Sequence, residues 1–196
     1  MFNIVFSVYY SKMIRQPEPR GLFPDALELM MSGLEYLVMV AQLRNMDRAS
    51  ANMRIHGLLR LFGIHGDRDV ALSSYSKGMR QKILLSAALM HNPDVILLDE
   101  PFSGLDVGSA LILRSLIKEL AARGKIVLFS SHELETVERV CSHVVILHRG
   151  KVVADDSIER LRVLMAVPTL EEIFSQLAVE QDSEAVSREI ADLIHA

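Results

Sequence analysis

Three short apolar runs alternate with helical stretches in the second half of the chain, and this alternation constrains the fold most strongly. The runs cover residues 95–98, 126–129 and 144–147, and the stretches between them cover residues 107–122 and 133–141. Short runs rich in β-branched residues, separated by helices, are typical of parallel strands joined by crossover helices. The alternation therefore predicts an α/β fold with a parallel sheet buried on both faces, whose recognisable strands begin only at residue 95.

The first ninety residues have a helical pattern instead. Residues 15–25 are rich in Pro and Gly and predict a loop, and apolar residues follow at helical spacing from Ala26 to Ala41. A second helix is expected from Asp47, as N-cap, to Phe62. A third is expected to follow Ser76 and to end before residues 92–93, which are Asn-Pro.

The C-terminal part predicts a short strand and two capped helices. Residues 149–151 read as a turn before a last strand at 152–154. Ser157 is expected to cap a helix that runs to Leu164, and Thr169 with Glu172 forms a capping-box pattern for another.

Composition excludes several classes of protein. Half of the 196 residues are hydrophobic, which permits a core and argues against intrinsic disorder. The net charge of −4 argues against a nucleic-acid partner held by a general positive field. Cys141 is the single cysteine, so an intramolecular disulfide and a CxxC zinc site are both excluded, and its helical position predicts a core side chain.

Two apolar stretches are candidates for a secretory signal or a membrane-spanning helix. Residues 1–10 lack a preceding basic region and a following small-residue cleavage site, so no secretory signal is expected. Residues 27–43 include two glutamates and fall short of the roughly 20 apolar residues that a spanning helix needs. We interpret this second stretch as part of a globular helix.

Two carboxylates stand at the end of the first apolar run. Asp99 and Glu100 follow residues 95–98, so they are expected at the carboxyl edge of the sheet, where open α/β folds bind ligands. An aspartate there can hold Mg²⁺, usually through water, and a neighbouring glutamate can polarise an attacking water. The alternative is that two acidic residues simply end a buried strand.

Other polar residues are directed to the same edge. Ser76 and Gly78 begin a helix, whose free N–H groups and positive dipole end suit a phosphate. Asp106 follows the carboxylate pair in the sequence Ser-Gly-Leu-Asp, and His132 follows the run at 126–129.

These motifs, in this order and spacing, resemble the ATP-binding subunit of an ATP-binding cassette (ABC) transporter. The resemblance implies a P-loop NTPase fold of ABC type, with a helical subdomain and a parallel sheet covered by helices. The signature loop would be YSKGM where many members have LSGGQ, and its nucleotide-contacting residues would be Ser76, Lys77, Gly78, Met79 and Gln81.

The resemblance also assigns the strand-end residues. Asp99 corresponds to the Walker B aspartate that holds Mg²⁺, Glu100 to the catalytic glutamate, Asp106 to the D-loop aspartate and His132 to the switch histidine. Residues 17–24 resemble the Q-loop region, in which Glu18 stands where the family has glutamine.

The family resemblance implies partners and a location. Its members bind ATP and Mg²⁺, pair with a second ATP-binding subunit, and couple hydrolysis to a membrane-embedded transporter subunit at the cytoplasmic face. The YSKGM form of the signature loop is similar to that of ATPase subunits of bacterial export systems. No nucleic-acid partner is implied.

One motif of the family is absent from the printed sequence: no G-x-x-x-x-G-K-[ST], the Walker A phosphate loop, occurs in it. We therefore expect an N-terminally truncated ABC domain without the P-loop and its N-terminal strands. Its expected parts are an unmatched segment 1–16, a helical region 17–92, a core 93–156 and a helical extension 157–196. Such a chain is expected to be inactive alone; alternatively, it is a non-catalytic interaction module or lends its signature loop to an intact partner.

Overall fold

A computed structural model of the chain describes residues 4–8, 30–148, 150–178, 187–188 and 191–194. Glu18 and the Q-loop-like residues 17–24 lie outside the described residues, so their predicted roles stay predictions.

A five-stranded sheet lies at the centre of the α/β part. Its strands are β1 (Ile4–Val8), β2 (Val95–Leu98), β3 (Ile126–Ser130), β4 (His143–His148) and β5 (Lys151–Ser157). Their spatial order is β2-β3-β1-β4-β5. The first four are parallel, and β5 returns antiparallel to β4. The three predicted parallel strands and the last strand after the turn are confirmed.

The strand β1 corrects the expectation that recognisable strands begin only at residue 95. It lies between β3 and β4, where Val5 is in register with both Leu128 and His143. The segment 1–16, which matches none of the motifs, thus contains a central strand of the sheet. Local pattern alone missed it because both of its partners are more than a hundred residues away in sequence, so the pairing that defines the strand is entirely long-range.

Seven helices between residues 33 and 178 surround this sheet or pack beside it. They are α1 (Gly33–Leu43), α2 (Arg48–Leu61), α3 (Lys77–Leu89), α4 (Val107–Ala122), α5 (Leu134–Val140), α6 (Ile158–Met165) and α7 (Leu170–Ala178). The predicted N-caps Asp47 and Ser157 accept hydrogen bonds from the amides three residues on, at 2.9 and 3.2 Å. Short 3₁₀ turns at His65–Asp67 and Leu72–Ser74 join α2 to α3.

The helix α1 begins later than its apolar pattern suggested. The spacing predicted a helix continuous from Ala26, but Ser32 has an extended backbone and α1 starts at Gly33. A capping box explains the start: the Ser32 hydroxyl accepts the Glu35 N–H at 3.2 Å, and Glu35 Oε2 accepts the Ser32 N–H at 2.8 Å. The apolar pattern does not reveal this break, because the apolar residues before and after Ser32 follow the same helical spacing.

One apolar core joins the helical part to the inner face of the sheet. Leu37 and Ile55 from the helical part, and Val127 and Val144 from the sheet, are completely or almost completely buried in it. Cys141 lies in the same core, as predicted, and its burial raises the pKa of the thiol well above its ordinary value.

The two faces of β2 differ sharply. Ile96 is 3% exposed on the inner face, whereas Val95 and Leu97 are 51% and 72% exposed on the other. The expectation that the sheet is buried on both faces is therefore wrong for β2. This strand also ends the sheet, and within the described residues no further strand pairs with its free edge.

None of the helices in the described ranges has the length and apolar character needed to cross a bilayer. Within the stretch 27–43, α1 buries Leu37 and Ala41 in the core, which confirms the interpretation of residues 33–43 as a globular helix.

Candidate functional site

The ends of β2 and β3 bring the predicted carboxylates and histidine together. Leu98 and Phe129 are in register, so the residues that follow them lie side by side at the carboxyl edge of the sheet. We call Asp99, Glu100, Ser130 and His132 the strand-end cluster. Three of its members were predicted from the sequence.

Ser130 connects the two carboxylate residues. Its hydroxyl donates to Asp99 Oδ1 and accepts the backbone N–H of Glu100 at 2.9 Å. Glu100 has a φ of +43°, in the left-handed region that non-glycine residues rarely adopt without support from their surroundings. Sequence reasoning did not select Ser130; its signal was a hydroxyl at the end of the strand neighbouring the carboxylate pair.

Glu100 and His132 form a hydrogen-bonded pair within the cluster. His132 Nδ1 lies 3.0 Å from Glu100 Oε2, and the two side chains are 64% and 39% exposed. The hydrogen bond to Glu100, together with its negative charge, raises the pKa of His132, and the positive charge of Lys77 opposes this shift. The pair is thus open to solvent and offers a carboxylate and an imidazole to a ligand at the sheet edge.

The predicted signature residues form a second group, at the start of α3. Ser76 caps this helix by accepting the Met79 N–H at 3.2 Å, and Lys77 Nζ donates to Ser103 Oγ at 2.6 Å. Gly78 packs so closely that a Cβ there would come within 2.6 Å of the Gly104 carbonyl oxygen. Only a glycine therefore fits this contact without a shift of the backbone.

Further contacts tie α3 to the loop after β2. Gln81 Nε2 donates to the Pro101 carbonyl at 3.2 Å, and Lys82 Nζ lies 3.5 Å from Asp106 Oδ2. We call residues 76–82 and 101–106 together the signature face. Lys82 was not selected from the sequence, although it stands one helical turn after Gly78 on α3. Ser103 was noted only as the first residue of the motif Ser-Gly-Leu-Asp, without a role of its own.

Asp106 carries the one carboxyl side chain of the signature face, and its pKa is shifted. It caps α4 by accepting the Ser109 N–H at 2.9 Å, and the Ser109 hydroxyl donates to its other oxygen at 2.6 Å. These bonds from Ser109, helped by the charge of Lys82, lower the pKa of Asp106 to about 2. Asp106 is therefore a fixed negative charge at neutral pH.

The donor chemistry at Asp99 fits Mg²⁺. Its exposed carboxylate is a hard oxygen ligand, and Mg²⁺ usually takes one or two carboxylates and completes its octahedron with water and phosphate oxygens. In the part of the chain that the structure describes, no cluster of three or more His, Cys, Asp or Glu could enclose a metal. An ion here would depend on water and a bound phosphate for its other ligands.

Comparison with known proteins identifies the family. A family model described as "AAA domain, putative AbiEii toxin, Type IV TA system" matches residues 15–138. The ABC transporter ATP-binding protein NatA of Bacillus subtilis is 38% identical over 131 residues, which are 67% of this chain and 53% of NatA. The chain belongs to the ABC family of ATP-binding P-loop proteins.

Two further relatives are also named as transport ATP-binding proteins. An uncharacterised ABC transporter ATP-binding protein of Methanocaldococcus jannaschii is 37% identical, with 76% of this chain and 55% of that protein covered. The bacitracin transport ATP-binding protein BcrA of Enterococcus faecalis is 31% identical, with 78% and 47% covered. A solved structure titled "Structure of ATP binding subunit of ABC transporter" matches with a TM-score of 0.70 and 28% identity, covering 88% of this chain and 68% of that one.

The matches confirm the predicted ABC family and its P-loop NTPase fold. The chain spans about half the length of the curated relatives it matches.

Proposed function

We propose that the chain functions as part of the ATP-binding subunit of an ABC transporter. This subunit would couple ATP hydrolysis to transport through a membrane-embedded partner at the cytoplasmic face. The pairing of Glu100 with His132 at the carboxyl edge of the sheet carries this proposal. It sets a carboxylate and an imidazole where an open α/β fold receives its ligand.

The roles that we propose within the strand-end cluster are those that the family resemblance assigns, and this geometry is compatible with them. Asp99 would hold Mg²⁺ through water, and that ion would neutralise charge on the phosphates when bound. Glu100 would accept a hydrogen bond from the attacking water and orient it. His132, whose Nδ1 is directed to Glu100, would offer its other nitrogen to the terminal phosphate.

We further propose that these 196 residues alone do not turn over ATP. The printed sequence contains no Walker A motif, which supplies a cradle of backbone N–H groups, a lysine and a magnesium-binding hydroxyl. Losing one preorganised donor in a comparable oxyanion site costs about 3 kcal/mol, so losing two would slow turnover about 10⁴-fold.

A second role is supported by the signature face, which needs no partner to form. Lys77, Gly78 and Gln81 are each in contact with the loop at 101–106 of the same chain. The chain could therefore offer Ser76, Gly78 and Asp106 to ATP that is held by an intact second subunit.

ATP binding and phosphate release by the purified chain test the proposal that these residues alone do not turn over ATP. We expect no turnover above background, and no difference between the wild-type chain and Glu100→Gln. The matched control is Glu119→Gln, which removes an exposed ion pair between Glu119 on α4 and Arg123 just after that helix. Turnover that disappears in Glu100→Gln and persists in Glu119→Gln would show that the chain is active by itself.

A mixing experiment tests the second role. The chain is added to a full-length ABC ATP-binding subunit whose own signature serine has been replaced by alanine. Restored turnover that is lost with Ser76→Ala in the added chain supports donation of the signature face. Absence of both a complex and restored turnover contradicts it.

A further inference from the structure

We propose that Ser130 is a positioning residue that holds the magnesium aspartate and the catalytic glutamate in one arrangement. The inference rests on the proposed roles of Asp99 and Glu100. Ser130 itself touches neither the nucleotide nor the water in this scheme; it acts through its two hydrogen bonds.

The direction of these bonds follows from the inventory of a hydroxyl group. Ser130 has a single hydroxyl proton, and the Glu100 backbone amide can only donate. Because the amide donates to Ser130 Oγ, the hydroxyl proton is free for Asp99 Oδ1, which as a carboxylate can only accept. One side chain on β3 therefore fixes both the Asp99 carboxylate and the backbone of the next residue.

The backbone of Glu100 needs this support. Its φ of +43° lies in the left-handed region, which a residue with a long side chain adopts only when its surroundings hold it. The hydrogen bond from the Glu100 N–H to Ser130 Oγ acts at this strained position. The side chain of Glu100 extends from it, and its Oε2 lies 3.0 Å from His132 Nδ1. Without the bond, the backbone can relax and carry the Glu100 carboxylate away from His132.

The neighbouring serine gives a matched control. Ser131 is 3% exposed, and its hydroxyl accepts the Glu133 N–H at 3.0 Å. It is thus a neighbouring hydroxyl that makes one hydrogen bond to a nearby backbone amide and none to Asp99 or Glu100.

Nuclear magnetic resonance of the full chain without nucleotide or Mg²⁺ tests the proposal. In Ser130→Ala, we expect amide hydrogen exchange at Glu100 to accelerate at least tenfold, and the ring proton shifts of His132 at fixed pH to move at least half as far as Glu100→Gln moves them. Ser130→Thr, which keeps a hydroxyl, should restore both signals. Ser131→Ala should leave both at their wild-type values.

Thermal unfolding of each variant establishes that it is folded. Ser130→Cys, whose thiol is somewhat larger than the hydroxyl and forms only weak hydrogen bonds, replaces Ser130→Ala if that variant does not fold. Unchanged Glu100 exchange and unchanged His132 shifts in a folded Ser130 variant would overturn the proposal. If Glu100→Gln itself leaves His132 unmoved, the pair on which the proposed function rests is absent, and that failure is distinct from a failure of Ser130 alone.

Discussion

The signature face and the strand-end cluster are built by different means. In the signature face, two segments meet through close backbone packing, with Gly78 against the Gly104 carbonyl and Gln81 bonded to the Pro101 carbonyl. The strand-end cluster is held by side-chain bonds among half-buried and exposed groups, and one hydroxyl, on Ser130, makes two of them. We therefore expect the signature face to respond most to added side-chain volume, and the strand-end cluster to respond most to the loss of a single hydrogen bond.

The largest effect is expected from Gly78→Ala. The new Cβ would meet the Gly104 carbonyl oxygen at 2.6 Å, so the loop at 101–106 must shift. Overpacking of this kind costs about 1–3 kcal/mol, measured as a fall in the free energy of unfolding.

Gly57→Ala is the matched control for that substitution. Gly57 lies inside α2 and nothing stands within 4 Å of an added Cβ. There, alanine should stabilise the chain by about 0.5–1 kcal/mol through its better helix propensity. Equal changes at the two glycines would mean that the signature face is not closely packed.

A smaller loss is expected from Gln81→Met, which removes the donor to the Pro101 carbonyl while keeping the side-chain length. A hydrogen bond of this kind contributes about 0.5–1.5 kcal/mol, to be measured by chemical denaturation. Gln176→Met, on the exposed side of α7, should change stability much less. If both variants unfold alike, Gln81 does not tie α3 to the loop.

Sequence reasoning succeeded where the signal was local or carried by motifs. The bounds of α4 were predicted from the pattern of apolar residues, and the N-cap of α2 from one residue type. Asp99, Glu100 and His132 were predicted because each follows the end of a strand. The strand β1 could not be found this way, because only β3 and β4 define it. Ser130 was missed for a related reason: its two hydrogen bonds reach residues about thirty positions away, so its place at a strand end does not by itself identify its partners.

The pH dependence of stability tests the strand-end cluster. Because Glu100 raises the pKa of His132 in the folded chain, the pair stabilises the fold when the imidazole is protonated. The contribution is fully present below the unfolded pKa of about 6.5 and is lost as the pH rises through the higher folded value. Since both groups are exposed, we expect at most about 1 kcal/mol, which Glu100→Gln should abolish. The same dependence persisting in Glu100→Gln would place its origin elsewhere.

The smallest effect concerns the electrostatic link between the two regions. Lys77 belongs to the signature face, yet its charge lowers the pKa of His132, so Lys77→Met should raise that pKa further. Because the interaction is a charge effect across solvent, the change should be clear at about 0.01 M salt, where the screening length is about 30 Å, and vanish near 1 M, where it is about 3 Å. Lys82→Met, which removes a lysine paired with Asp106, should leave His132 unmoved. A shift in Lys77→Met that survives high salt would instead mean that the loop bonded through Ser103 has moved, and that the two regions are coupled by packing rather than by charge.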